Sequence, residues 1–73
     1  MFGIDREEVL RLKKEYPEGT RIVCNHCSDP YRPIESGTKG TVVWVDDMGT
    51  VHCHFDNNRH FGLVPGEDSF SKI

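Results

Sequence analysis

The chain has 73 residues, 36% of them apolar and 29% charged, with seven glycines and four prolines. That is enough for one domain and too little for two, and the composition is that of a folded, loop-rich β protein, not of a disordered tail. A formal net charge of −3 argues against a general electrostatic grip on nucleic acid or an anionic membrane, which clustered Lys and Arg would carry. No stretch approaches the ~18 apolar residues of a spanning helix, and the amino terminus shows no basic segment followed by an apolar leader core. A cytoplasmic protein with no membrane partner is therefore expected. Three cysteines, an odd number, fit reduced thiols better than a disulfide framework, with a Cys24–Cys27 bridge open only to oxidation.

The segment from Ile4 to Tyr16 reads as a helix over about residues 5–16. Asp5 is a plausible N-cap with Glu8 as its capping-box partner, acidic residues come first and basic ones last, and Val9, Leu12 and Tyr16 form one apolar stripe. Such a face suits a barrel opening or a sheet. Tyr16-Pro17-Glu18-Gly19 ends the helix and releases the chain into a first strand, Thr20 to Cys24. Asn25 to Glu35 carries two prolines and few aliphatic residues, which predicts an ordered excursion in which Tyr31 and Ile34 turn back toward the barrel rim.

The central signal is a hairpin. Thr41 to Val45 is β-branched or aromatic throughout, and Thr50 to Phe55 alternates Val51, Cys53 and Phe55 with Thr50, His52 and His54. Asp46-Asp47-Met48-Gly49 supplies the turn between them. Asp56 to Arg59 makes a second turn, His60 to Val64 a further strand, and Glu67 to Ile73 a tail whose Phe70 can return to the core. The predicted fold is mainly β: a small five-stranded antiparallel barrel with an N-terminal α-helix, one domain over 1–73 whose β part begins at about residue 19. Its predicted core is Val9, Leu12, Ile22, Val42, Val45, Val51, Cys53, Phe55, Leu63 and Phe70.

Several segments in this order carry a family likeness: Tyr16-Pro17-Glu18-Gly19-Thr20-Arg21, Asp29-Pro30, Gly37-Thr38-Lys39-Gly40-Thr41-Val42, Val45-Asp46-Asp47-Met48-Gly49, Phe55-Asp56-Asn57, and Val64 to Phe70. On them the chain resembles a small bacterial and phage-associated family known only as domain of unknown function 4314. The resemblance implies an SH3-like β domain of bacterial or mobile-element origin, and no reaction, ligand or catalytic residue. The chain departs from the family pattern at Cys24, Cys27, Cys53 and the histidines, so a metal site there would be its own.

Three chemistries are expected to compete. The first is a protein-interaction surface built from Tyr31, Arg32, Ile34 and Trp44, motivated by the acidic charge, the proline-flanked loop and the lack of a catalytic grouping. The second is nucleic-acid binding through Arg21, Arg32, Lys39 and Arg59. The third is structural zinc, because Cys24-Asn25-His26-Cys27 has thiolate spacing for one ion and His52 and His54 could complete four ligands. Free thiols packed as small hydrophobes are the plainer reading of the cysteines, and solvated side chains that of the histidines. Asp46, Asp47 and Asp56 sit in predicted turns, where aspartate bonds backbone, and no nucleophile is paired with a base. A non-enzymatic module without cofactor is the expectation. Alternation leaves the face of Trp44 open unless a bulge intervenes, with the balance tipping to the core; exposed beside Tyr31, it would form a platform.

Overall fold

The computed structural model describes residues 5–73, so Ile4 at the start of the predicted helix lies outside them. Helix α1 spans Arg6–Glu15, with the Asp5 carboxylate accepting from the Glu7 amide at 3.2 Å. The expected capping box gives way to a different pairing: Glu8 and Glu15 both engage Arg11 along the exposed face. Val9 and Leu12 are buried, the helix packs on the sheet, and Lys13 reaches Asp47 in a hairpin turn at 2.8 Å.

Five strands follow: β1 Arg21–His26, β2 Lys39–Val45, β3 Val51–Phe55, β4 His60–Leu63 and β5 Ser69–Lys72. They form one antiparallel sheet in the order β4-β3-β2-β1-β5. The hairpins β2–β3 and β3–β4 place consecutive strands side by side, and the tail returns to pair across the far side of β1. The sheet is open. No ladder joins β4 to β5 among the described residues, where a closed barrel would need one, so these two strands are its edges.

One face of this sheet is the core. Ile22, Cys24, Val42, Val51, Cys53, Phe55 and Leu63 are almost fully buried, and Leu12 from α1 with Cys27 and Ile34 from the long β1–β2 connection close over them. Gly40 lies so near the Phe55 ring that a Cβ there would stand 2.7 Å from it; the strand is glycine at that point because the ring occupies the space. The predicted core holds except at its margin, where Phe70 is only partly buried and packs obliquely on Tyr16, ring centres 5.5 Å apart.

Asp68 is the buried polar residue of this side. Its carboxylate accepts from the Ser28 amide (2.7 Å) and hydroxyl (2.9 Å) and from the Val64 amide (2.8 Å), tying the turn before β5 to the segment after β1. Burial pushes this carboxyl up, but the three donors more than offset that and hold it below the usual carboxylate range.

Candidate functional site

Between Val42 and Trp44 the β2–β3 register slips by one residue: Val42 stands opposite Cys53 and Trp44 opposite His52, with Val43 the extra residue. Val42 and Val45 are three apart and both buried, which strict alternation forbids and a bulge permits. The same bulge turns Trp44 outward, where it is 54% exposed. The lean toward a buried Trp44 is therefore corrected, and the cause is a one-residue insertion in the ladder.

On the outer face Trp44 stacks on its cross-strand neighbour His52, centroids 4.9 Å apart and planes 11° from parallel. His52 Nε2 donates to Asp46 Oδ2 at 2.8 Å, since an ionised carboxylate only accepts. Asp46 Oδ1 meanwhile accepts from the amides of Met48 and Thr50, each at 2.9 Å, so one side chain fixes both the turn and the imidazole. Partial burial pushes Asp46 up, and the His52 ring with the Thr50 and Met48 amides outweighs it and holds the carboxyl below its ordinary value. Next along the face, His54 and His60 stack at 4.3 Å and 6°, and His54 bonds Asn58 at 3.1 Å. A shallow cavity of about 280 Å³ opens between these pairs, lined by Val43, Trp44, His52, His60 and Gly62 among others. Gly62, directly opposite His52, is glycine because the space beside it is taken: a Cβ there would stand 2.6 Å from the Thr50 methyl and 3.4 Å from the His52 ring.

The other expected site residues are dispersed. Tyr31 is 88% exposed on the connecting loop, and no aromatic contact joins it to Trp44 among the described residues. The loop folds back over the sheet as expected for Ile34, but so far that Ile34 is only 2% exposed and leaves the expected partner surface, whereas Tyr31 does not turn back with it. Arg59 donates to the carbonyls of Arg32 (2.8 Å) and Pro33 (3.2 Å), pinning that loop, while Arg32 itself is exposed. Arg21 makes a two-pronged pair with Asp56, both contacts at 2.8 Å. Of the four cations expected to hold phosphate, Arg21 and Arg59 are thus engaged within the fold, leaving Arg32 and Lys39.

The expected zinc ligands do not gather. Cys24 and Cys27 lie in the core, whereas His52 and His54 project from the opposite face of the sheet. No group of three or more His, Cys, Asp and Glu is placed to hold a metal among the described residues. All three cysteines are free and buried. Burial raises Cys24, with its neighbour Cys27 adding to it, and burial pushes Cys53 up to about 11, which disfavours the thiolate at Cys24 and Cys53.

The histidine pairs were the site feature missed in sequence. The signal is in the chain: the turn at Asp56–Arg59 sets His54 opposite His60 in the hairpin it closes. The model of the family described as Domain of unknown function (DUF4314) matches residues 5–73. No curated protein matches the chain. No helix among the described residues is long and apolar enough to cross a membrane.

Proposed function

The chain belongs to the DUF4314 family, and from that premise we propose a non-enzymatic binding module that engages a protein partner through the outer face of β2–β4. We read its strand order as an SH3-like domain, working in the cytoplasm of a bacterium or encoded by a mobile element. The observation that carries the binding role is Trp44: a large side chain, exposed by a bulge, held flat by His52 and set beside a cavity. Exposed tryptophans fixed in advance are the usual anchors of protein interfaces, because little freedom is lost when a partner covers them.

The site also favours binding over catalysis. His52 and Asp46 resemble a base with its orienting carboxylate, but the adjacent thiol, Cys53, faces the core and is held protonated. Affinity capture from the native host, run in parallel with wild type and Trp44→Ala, tests the reading. A protein retained by the first and released by the second, with affinity lowered roughly 30-fold or more, supports it. Equal capture by both forms contradicts it. Salt-sensitive binding of oligonucleotides in place of any protein would move the function to nucleic acid.

A further inference from the structure

The β3–β4 ladder fixes which backbone groups of the edge strand are unpaired. Phe55 N–H donates to the Arg59 carbonyl at 2.7 Å, and the register continues as His54↔His60, Cys53↔Phe61, His52↔Gly62 and Val51↔Leu63. Hydrogen-bonded and non-bonded pairs alternate in an antiparallel ladder, so Phe61 and Leu63 bond inward while the N–H and C=O groups of His60 and Gly62 point to the open edge. The outer-face cavity borders those two residues. At Gly62 the strand itself places no side chain on the outer face, and the space above it is filled from within the sheet by the Thr50 methyl and the His52 ring, the latter stacked on Trp44.

Charge selects among occupants. On the outer face the carboxylates of Asp46 and Asp56 are already engaged, by His52 and by Arg21. Lys39 makes no ion pair of its own among the described residues, although with His54 it acts on the Asp56 carboxylate from farther away, and the stacked His54 and His60 rings offer N–H donors. The chain as a whole is acidic, with Glu7, Glu8 and Glu15 on the helix. This face is thus the one suited to receive a negative side chain.

We propose that the free edge of β4 accepts an extended peptide segment of the partner as an added strand, with an apolar or aromatic side chain opposite Gly62 and an Asp or Glu two residues away, opposite His60. Main-chain bonds to His60 and Gly62 supply affinity, and side chains of alternate residues, all on the outer face, supply selectivity. The first rests against the His52 ring and Trp44, and the second approaches the imidazole pair. This assignment rests on the binding role proposed above and specifies the chemistry of its ligand.

A phage-displayed library of short random linear peptides, selected against the wild-type domain, supplies the probe. The strongest binder is synthesised unmodified and in two forms, each N-methylated at one set of alternate residues. The enriched sequences should carry an apolar residue and an acid two positions apart. One methylated form should bind like the parent and the other at least about tenfold more weakly, and amide hydrogen exchange at His60 and Gly62 should slow when the parent peptide binds. A selection without binders overturns strand addition. So does a binder indifferent to both methylation patterns; if it is still lost in Trp44→Ala, the outer face stands as a binding surface and only the edge pairing fails. Slow exchange at His60 and Gly62 without peptide, growing with protein concentration, would show a second copy on the edge and also overturn the proposal.

Discussion

The two faces of β3 are made from alternate residues of the same five-residue strand and are ordered by different forces. Val51, Cys53 and Phe55 are held by close packing in the buried core, where a thiol packs as a small hydrophobe. His52 and His54 are held in contact with water by stacking on Trp44 and His60 and by hydrogen bonds to Asp46 and Asn58. The inner face spends its specificity on folding. The outer face is organised without being needed for the core, which is the combination a binding surface requires: side chains fixed in advance and still uncovered.

This contrast can be broken at its strongest point by a pair of truncations. Phe55→Ala removes the largest fully buried side chain and should destabilise the domain by about 3–5 kcal/mol in urea unfolding. Trp44→Ala, an even larger deletion but of a side chain only half covered, should lower stability by clearly less, about 1–2 kcal/mol. Equal losses at the two positions would mean that the outer face is structural.

Asp68 sharpens the contrast from the interior side. Asp68→Ala strips three donors of their acceptor and should lower stability by about 1–3 kcal/mol. Because its folded carboxyl sits below the unfolded value of about 4, its contribution is complete above that value and is lost as pH falls through the folded value. The isosteric Asp68→Asn variant should therefore unfold with a shallower acid dependence than wild type in a series of denaturation curves below neutrality. An unchanged acid slope would remove Asp68 as the titrating clamp.

The inner face was legible in the sequence because it depends on local alternation. Val51, Cys53 and Phe55 could be assigned inward from their spacing alone, and the two turns that join β2, β3 and β4 follow from Asp, Asn and Gly chemistry. Trp44 was not legible, since a bulge at Val43 leaves no trace in a run where every residue favours strand. For Ile34 the return of its loop to the rim was legible but not the depth of its burial, which takes it out of the expected partner surface; that depends on a loop held down by Arg59, distant in sequence. Asp68 belongs to the same class, a carboxylate in a turn whose partner Ser28 lies on the far side of the sheet's connections. Such contacts are set by tertiary closure and become visible only when the strands are assembled. The candidate site follows this division: its histidine pairing was contained in the hairpin register, and its anchor was not.

Trp44 is the chain's single tryptophan, so its fluorescence reports on the outer face alone. Acrylamide quenching of the native protein distinguishes an indole open to solvent from one packed in the core. An open, bulge-presented indole predicts efficient quenching in the folded state, comparable with that of the urea-unfolded chain, with a solvent-like emission maximum. A blue-shifted emission shielded from acrylamide until the domain unfolds would place Trp44 in the core and contradict the account.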